Sequence, residues 1–550
     1  MDENLEDLNT KNRNKYSRHN RFSREHPTWS QNIRAYFMEF CKNTNIHGFK
    51  YLGERGRSSF EKSFWLIFSC VSFFICLTLI NRMWIKYSQT PVFVNVALNP
   101  APVWKVPFPA ITICPETKIK QRIYNFTDYY HKVMKHSNPD EDALTDDELQ
   151  KFADSSLVCD QHLYTSGNKT ASVDTIRHLT EVAPPLDEVL FSCKWNSNNE
   201  SCDSLFTPIL TEDGVCFTFN TLDRSELFRN AAYFDDDFIT QDNRAEGWTL
   251  DHGYPKGVGL DTFPRRATSA GSKSGMFLLL RGYKQDLDYV CRGPVQGFKV
   301  LLHHPAELPR IASRYFRAAV NQEALVAVKP NVRLTSMNLK NYGPHLRQCF
   351  FAEERQLYFF RDYTQQNCQI ECLANYTLSK CGCVAYHMPR EESTEICGSG
   401  SNRCLFEAEQ ELLTHDGEVE SSSKKADKMC DCPPSCTSIT YDVETSQADF
   451  EWEKVFEAFK ADINEFPGIY MTRLTIFFKD MEFVPSEKSE IYGPTEFLAS
   501  CAGLLWLFTG FSFFSIVEIV YFLSIRVICN VRKYGKHYWS GSNILLSNDS

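Results

Sequence analysis

Two long apolar stretches interrupt a chain that is otherwise polar. The first runs from Phe64 to about Ile80, with Met83 to Ile85 beyond it, and the second runs from Phe497 to Ile525. Each is close to or above the ~20 apolar residues that a helix needs to cross the hydrocarbon core of a bilayer. The pattern predicts two membrane-spanning helices, one near each end of the chain.

The second apolar stretch carries polar side chains at every third position. In a straight helix, which advances ~100° per residue, this spacing would spread them over about half the circumference. They align better if the backbone from Gly510 to Ser512 is extended or tightly wound, because residues three apart eclipse in a 3₁₀ turn. A continuous helix here would also be ~43 Å long, which exceeds a ~30 Å core. We therefore predict a broken helix that lines a pore, with these polar positions: Thr509, Ser512, Ser515 and Glu518.

The region between the two stretches alternates as β-strands do. It also holds helical signals: a capping box at Thr145 to Glu148, and Cys368 and Cys372 on one helix face. A polar insertion, 407–427, is expected to be an exposed loop. The fold class is therefore mixed α/β, with strands predicted at 106–114, 214–220, 297–302 and 473–479.

Before the first apolar stretch, a helical period of apolar residues begins at Trp29 and ends near Cys41. Such a segment lies on a membrane face or packs on a partner. It leads into His47-Gly48, where glycine allows a turn that other residues resist. The polar, basic residues 1–27 before it resemble a solvated tail, or a tail that is attracted to anionic lipid.

Composition and charge limit the classes of function that the chain can have. The mean hydropathy of −0.35 indicates that the membrane part is small. The net charge of −10 argues against nucleic acid as a partner and suits a surface that attracts cations. The chain lacks the HExxH, GxSxG and Walker motifs, so an enzyme is not expected.

Five of the 21 cysteines lie in or beside the apolar stretches, where Cys70 and Cys76 are expected to pack within the first span. The other sixteen fall between Cys114 and Cys436. An even number at this density indicates a disulfide framework in an oxidising compartment. Zinc binding at Cys381-Gly-Cys383 or Cys430-Asp-Cys432 is disfavoured, since neither pair has CxxC spacing.

Basic residues at the ends of the two stretches favour both termini inside, although Arg82 and Lys86 weaken the bias. The glycosylation sequons at Asn125, Asn168, Asn199 and Asn375 all lie in the middle region. The predicted organisation is a cytoplasmic N-terminus (1–63), a transmembrane helix (64–85), a disulfide-rich extracellular domain (86–495), a second transmembrane helix (496–526) and a cytoplasmic C-terminus (527–550).

Several motifs together resemble the degenerin and epithelial sodium channel family, and within it the insect pickpocket-type channels. The resemblance covers about Trp29 to Ile525. It implies a trimer of two-span subunits, identical or related, around a Na⁺ pore that amiloride blocks, with a palm, β-ball, finger, thumb and knuckle outside. The motifs are Asn45-Ile-His-Gly48, Phe108-Pro-Ala-Ile-Thr-Ile-Cys114, Gly214-x-Cys-Phe-Thr-Phe-Asn220, Arg347-Gln-Cys349 and the second apolar stretch.

The resemblance implies roles for individual residues. Gly510-Phe511-Ser512 matches the selectivity filter, whose backbone carbonyls face the ion, and His47-Gly48 matches a cytoplasmic gating motif. Ala499 falls at a small-residue site where bulky side chains hold such channels open. Trp506 and Ala502 stand where the family has glycine, and a Trp at a close helix–helix contact would widen or tilt the helices and alter the pore diameter and amiloride affinity. The pore and gating set is His47, Gly48, Ala499, Trp506, Ser515 and Glu518.

The disulfide order of the family implies seven bridges, and the two cysteines left over are expected to pair as Cys159–Cys291. Such a ladder would stiffen the thumb. The seven are Cys114–Cys216, Cys193–Cys202, Cys349–Cys436, Cys368–Cys432, Cys372–Cys430, Cys381–Cys404 and Cys383–Cys397.

Some interpretations stay open at this point. Glu518 is either an acid paired within the helix bundle or a group that attracts ions. The acidic runs at 140–142, 146–148 and 235–237 are solvated faces, or clusters that sense protons. His303-His304 is expected to be an ordinary turn rather than a metal ligand pair. No cofactor or metal is implied beyond the permeant Na⁺.

The favoured function is a plasma-membrane cation channel subunit that a chemical, osmotic or mechanical cue opens. It would contact membrane lipid, and an extracellular ligand or matrix partner is compatible with its ectodomain. The alternative is a non-conducting ligand-binding or sensory subunit that works only in a heteromer. A purinergic-type channel is disfavoured, because such channels have about ten ectodomain cysteines and different motifs.

Overall fold

The computed structural model describes residues 27–54, 56–89, 92–134, 144–159, 166–172, 174–233, 237–312, 314–421, 430–460, 467–491 and 493–542. The chain divides into two compact units. One unit is Met1–Pro91 with Glu490–Ser550, and the other is Val92–Ser489. We refer to them as the membrane unit and the ectodomain.

The described helices, in chain order, are α1 (Trp29–Asn43), α2 (Phe49–Gly53), α3 (Ser59–Gln89), α4 (Phe126–Met134), α5 (Asp146–Ser155), α6 (Thr175–Val182), α7 (Leu186–Val189), α8 (Cys202–Leu205), α9 (Arg224–Leu227), α10 (Tyr289–Arg292), α11 (Pro344–Arg347), α12 (Gln365–Cys381), α13 (Asn402–Ser421), α14 (Trp452–Ala458), α15 (Pro494–Thr509), α16 (Phe513–Leu523) and α17 (Ile525–Tyr534).

The described strands are β1 (Val92–Val96), β2 (Ala101–Pro102), β3 (Ala110–Pro115), β4 (Leu190–Trp195), β5 (Asn198–Glu200), β6 (Phe206–Thr211), β7 (Gly214–Phe219), β8 (Met276–Tyr283), β9 (Phe298–His303), β10 (Phe316–Ala318), β11 (Gln322–Thr335), β12 (Ser438–Asp449), β13 (Ile469–Phe478), β14 (Glu482–Phe483) and β15 (Ser486–Glu490).

Two helical stretches of the membrane unit are long and apolar enough to span a bilayer, namely α3 and Phe513–Tyr534. The helix α3 starts before and ends after the predicted 64–85, because its polar flanking residues also favour helix. The second stretch continues past Arg526, where sequence reasoning ended the span at 526. Its backbone is irregular at Ser524, between α16 and α17.

The ectodomain is mixed α/β, as predicted. One sheet has the order β1-β15-β11-β13-β8-β4-β5, with β12 paired to β11, and a second has the order β10-β9-β3-β7-β6. The predicted strands at 214–220, 297–302 and 473–479 are β7, β9 and β13. The strand expected from residue 106 begins only at Ala110, since a 3₁₀ turn and two prolines precede it.

Phe108, from one of the family motifs, lies in the core of the ectodomain. Its ring packs 4.9 Å from Trp195 and 5.3 Å from Phe478, measured between centroids. Asn220, with a φ of +60°, holds the same segment in place. Its Nδ2 donates to the Phe108 carbonyl at 2.6 Å, and its Oδ1 accepts from the Arg265 amide at 2.6 Å. These two motifs therefore meet in three dimensions.

All eight predicted disulfides are confirmed, including Cys159–Cys291. Cys368 and Cys372 lie four residues apart on α12, as predicted. Both bridge to the segment before β12. Cys381 ties the end of α12 to α13. A bridge of this kind typically stabilises a fold by ~2–4 kcal/mol.

The prediction of an exposed loop at 407–427 is wrong for residues 407–421, because α13 continues to Ser421. The insertion is polar but rich in strong helix formers, and Ala408 and Leu412 are buried on one face. Glu411 is fixed to α12, where it accepts from Tyr376 Oη at 2.6 Å and pairs with Lys380 at 2.7 Å. Residues 422–427 lie outside the described chain.

His303 and His304 are buried at the end of β9. Burial lowers the pKa of His303 to about 4 and that of His304 to about 3, so both are neutral at physiological pH. His303 Nε2 lies 2.9 Å from Thr112 Oγ1. The two histidines are therefore neutral side chains that pack at the end of β9.

Among the acidic runs, 146–148 forms the exposed first turn of α5, where the capping box of Thr145 and Glu148 is confirmed. Residues 140–142, 235 and 236 lie outside the described chain. Proton sensing by these runs stays a prediction. Of the sequon asparagines, Asn168, Asn199 and Asn375 are exposed and Asn125 is half-buried.

A buried ion cluster lies beside the β6–β7 turn. Asp213 pairs with Lys118 at 3.2 Å, Lys299 at 2.7 Å and Arg292 at 2.5 Å. Burial alone would raise the pKa of Asp213, but the three cations lower it well below its usual range. The Lys118 side chain is 1% exposed, and burial lowers its pKa to about 8.

Candidate functional site

The predicted second span, 496–526, is interrupted at 510–512, where the sequence predicts the break. Helix α15 ends at Thr509, and α16 begins at Phe513. Gly510 has a left-handed φ of +66°, and Ser512 is extended. The Gly510 amide still donates to the Trp506 carbonyl at 2.9 Å, which closes the last turn of α15. Glycine suits this position because side chains disfavour positive φ.

The break separates the polar positions that the sequence predicted to align. The Ser512 amide donates to Ser515 Oγ at 3.2 Å, and the two hydroxyls lie 3.4 Å apart. Thr509 Oγ1 instead donates to the Leu505 carbonyl at 2.6 Å. Ser512 and Ser515 are thus brought together as a cap on α16, whereas Thr509 turns back into α15.

The His47-Gly48 motif lies against this break. The His47 amide donates to the Thr509 carbonyl at 2.9 Å. A Cβ placed on Gly510 would lie 2.8 Å from atoms of the His47 ring, so the ring packs directly on the glycine. The family resemblance assigned His47 a gating role, but nothing in the local sequence predicted this contact.

Gly48 allows an equally close approach on the other side of the loop. It has a φ of +84° and caps the start of α2. A Cβ on Gly48 would lie 2.4 Å from Ser69 Oγ of α3. The motif therefore lies between the first span and the break in the second. Because Gly48 and Gly510 have no side chains, the loop can approach α3 closely on one side and the break on the other.

Glu518 is paired with the same loop. Its Oε1 accepts from Asn45 Nδ2 at 3.1 Å, and its Oε2 lies 3.4 Å from Thr44 Oγ1. The structure thus places Glu518 as a half-buried acid with polar partners inside the membrane unit. The partners lie far away in sequence, which is why sequence reasoning left its role open.

Helix α1 packs on the end of the second span and the segment beyond it. The Tyr36 hydroxyl donates to the Phe522 carbonyl, and Glu39 pairs with Arg526. Buried Asn32 donates to the His537 carbonyl at 2.9 Å and accepts from Ser540 Oγ at 2.6 Å. The amphipathic segment that the sequence predicted therefore has a partner in the C-terminal part of the same chain.

The two spans also contact each other along α15, on the N-terminal side of the break. Ser72 Oγ of α3 donates to the Phe508 carbonyl at 2.7 Å. Near the start of α15, Phe497 stacks on Tyr87 at 4.8 Å between centroids. Ala499 and Trp506 are exposed on the same helix, and Trp506 is 64% exposed. The bulky Trp506 side chain is therefore accommodated within the described chain without spreading α3 and α15 apart.

The Glu39–Arg526 pair gives a testable prediction. Both side chains are 27% exposed, and partly exposed ion pairs contribute ~0.5–1 kcal/mol. In thermal unfolding of the full chain in detergent, Glu39→Arg is expected to lower the stability by ~0.5–1 kcal/mol, because it loosens α1 from α17. The double variant Glu39→Arg with Arg526→Glu should return toward wild type, and reversal of exposed Arg532 should change little. A double variant no better than the single one contradicts a direct pairing.

Comparison with known proteins gives a consistent result. The family model described as "Amiloride-sensitive sodium channel" matches residues 40–522. The chain is 29% identical to Pickpocket protein 28 of Drosophila melanogaster over 91% of this chain and 80% of that protein. It is 23% identical to the Sodium channel protein Nach of the same fly over 90% and 88%. It is 21% identical to Acid-sensing ion channel 1C of Danio rerio over 88% and 82%.

Proposed function

Because the chain belongs to the amiloride-sensitive sodium channel family, we propose that it is a subunit of a trimeric, amiloride-sensitive Na⁺ channel in the plasma membrane. The family consists of ion channels and not enzymes, and its channels are oligomers of related subunits. The observation that carries the proposal is the break at Gly510-Phe511-Ser512. There a membrane span leaves the helical conformation, and non-helical backbone is tolerated at that depth only where it is buried in protein or lines water.

In this proposal the carbonyls of the break face the ion path, with Ala499 on one side and Glu518 on the other. Preorganised carbonyl oxygens replace the hydration shell of a permeant cation. Both termini are cytoplasmic, and the glycans and disulfides are extracellular. The pairing of His47 with Thr509 supports a role for the His47-Gly48 loop in holding the break in one conformation.

Opening follows an extracellular chemical, osmotic or mechanical cue. A cue shifts the equilibrium only if the open and closed states interact with it differently. Such a shift would rearrange two hydrogen bonds, that of His47 with Thr509 and that of Asn45 with Glu518.

Expression in oocytes tests the proposal. Ala499→Val is expected to raise the amiloride-sensitive Na⁺ current about tenfold, as a bulky group at this exposed position favours the open state. Leu498→Ile, at the neighbouring exposed position, is the matched control. Surface-delivered protein without Na⁺ current in either the wild type or Ala499→Val contradicts an autonomous channel.

A second candidate is a subunit that binds a ligand or senses a stimulus and conducts only in a heteromer. Trp506 favours it, because a large exposed ring lies one turn before the break, at a position where the family resemblance implies glycine. Current that appears only on co-expression with a related subunit supports this candidate. Current from the chain alone, with amiloride block strengthened by Trp506→Gly, supports the first.

A further inference from the structure

The break in the second span takes a hydrogen-bond donor away from the last turn of α15. In a continuous helix the amide of Ser512 would donate to the carbonyl four positions earlier, that of Phe508. It donates to Ser515 Oγ instead, at 3.2 Å. A backbone carbonyl without a donor is costly in a hydrocarbon environment. The last turn of α15 therefore needs donors from other segments of the chain.

Two segments supply these donors. Ser72 Oγ of α3 donates to the Phe508 carbonyl at 2.7 Å, and the His47 amide donates to the Thr509 carbonyl at 2.9 Å. Ser72 is half-buried and lies near the middle of α3, which is long and apolar enough to span a bilayer. Its hydroxyl therefore acts as a side-chain cap on a different helix, at the edge of the break.

This use of a hydroxyl is unlike that of Thr78 on the same helix. Serine and threonine within a helix commonly donate back to a carbonyl of the preceding turn. Thr78 Oγ1 does so, because it donates to the Ile75 carbonyl at 2.7 Å. Ser72 instead bonds across to α15, and hydroxyl bonds between membrane helices help to hold them together. The contact is thus specific to Ser72 and to the carbonyl that the break releases.

The break itself contains two carbonyls that no donor occupies. Those of Gly510 and Phe511 accept no hydrogen bond from any residue in the described part of the chain. The next carbonyl, that of Ser512, accepts from the Ser515 amide at 3.0 Å. On the other side, the two preceding carbonyls are bonded to Ser72 and to the His47 loop. The free pair is therefore bounded on both sides by carbonyls that already have donors.

We propose that Ser72 is a positioning residue for ion selectivity: by holding the Phe508 carbonyl, it leaves only the carbonyls of Gly510 and Phe511 to bind Na⁺. The inference rests on the proposed function, in which the carbonyls of the break face the ion path. It adds a residue of the first span, which is distant in sequence from the filter, to the groups that determine which cation passes.

Loss of the Ser72 hydroxyl has a definite consequence in this arrangement. The Phe508 carbonyl then has no donor and turns toward the water and ions of the path. The number of coordinating carbonyls is one factor that sets the preference between cations. A third carbonyl beside Gly510 and Phe511 suits a larger cation, so the permeability to K⁺ rises relative to that to Na⁺.

Reversal potentials in oocytes that express the full chain test the proposal. Ser72→Ala is expected to lower the ratio of Na⁺ to K⁺ permeability about threefold at unchanged surface density, the effect of losing one hydrogen bond between membrane helices. Ser72→Thr keeps the hydroxyl and should keep the wild-type ratio. Thr78→Ala removes a hydroxyl that bonds only within α3, and it should also leave the ratio unchanged.

The acceptor can be weakened independently of Ser72. Replacing Thr509 with its α-hydroxy analogue by nonsense suppression turns the peptide bond after Phe508 into an ester, whose carbonyl is a poorer acceptor. This change should lower the permeability ratio in the same direction. Adding Ser72→Ala to it should then have little further effect, because both changes remove the same hydrogen bond.

Several results would overturn the proposal. An unchanged ratio in Ser72→Ala, with or without a loss of surface delivery, shows that the hydroxyl only supports the fold. An equal fall in Ser72→Thr shows that the hydroxyl is not the cause. If Ser72→Ala does not reach the surface, the ester variant decides in the same way. No current from the wild type, even with a related subunit co-expressed, contradicts the proposed function itself, whereas current with an unchanged ratio contradicts only the role of Ser72.

Discussion

Replacing Gly510 with alanine is expected to reduce Na⁺ current about tenfold or more at unchanged surface density. Two effects act in the same direction. A φ of +66° costs a residue with a side chain ~1–2 kcal/mol, and each 1.4 kcal/mol corresponds to about tenfold in an equilibrium. The added Cβ would also lie 2.8 Å from atoms of the His47 ring, so the loop must move away from the break.

The same helix provides the control. Gly503 lies inside α15, and a Cβ added there meets open space. Gly503→Ala should therefore be tolerated, because alanine is the better helix former. Surface biotinylation and two-electrode recording of both variants separate conduction from delivery.

The double variant His47→Ala with Gly510→Ala separates the two causes. If the clash with the ring dominates, removing the ring restores part of the current. If the left-handed backbone dominates, the double variant stays as low as Gly510→Ala. Wild-type current and reversal potential in Gly510→Ala itself would contradict the placement of the break in the ion path.

The break, the strands and α1 could be predicted because each rests on a local pattern. A glycine within an over-long apolar stretch, alternating residues and a helical period are properties of neighbouring positions. The disulfides followed from the family resemblance, since sixteen cysteines alone allow many connectivities. The sequence therefore supplied the elements and, through the resemblance, their covalent links.

The contacts of the candidate site could not be predicted in this way. His47 meets Thr509, and Glu518 meets Asn45, across more than four hundred residues of chain. Nothing near Glu518 in the sequence shows that a hydrogen-bond donor approaches it. The error at 407–427 has a different cause, because polarity was taken as the mark of a loop while helix propensity and anchoring to α12 determined the structure.

The second large effect is expected in the ectodomain, where Asp213→Ala should lower the stability by about 3–5 kcal/mol at pH 7. This variant leaves Lys118, whose side chain is 1% exposed, without its carboxylate. Removing one partner of a buried pair is costly because the remaining charge is neither hydrated nor compensated. Lys118→Met should cost less, since Asp213 keeps Lys299 at 2.7 Å and Arg292 at 2.5 Å.

The pH dependence of this loss identifies its cause. Burial lowers the pKa of Lys118 to about 8, against ~10.4 in an unfolded chain, so the folded state gains stability as the pH rises through this window. Without Asp213, the pKa of Lys118 in the folded state falls further, so the variant gains stability over a wider window that begins at lower pH. The loss of stability caused by Asp213→Ala, relative to the wild type, should therefore shrink by about 1 kcal/mol between pH 7 and pH 9.

Thermal unfolding of the full chain in detergent, followed by intrinsic fluorescence with the disulfides intact, measures both effects. We expect the Tm of Asp213→Ala to fall by roughly 4–6 °C at pH 7 and by less at pH 9. Exposed Asp203 on α8 supplies the control, and Asp203→Ala should shift the Tm little at either pH. A deficit that is the same at both pH values would show that lost packing at the β6–β7 turn, and not the charge of Lys118, accounts for the instability.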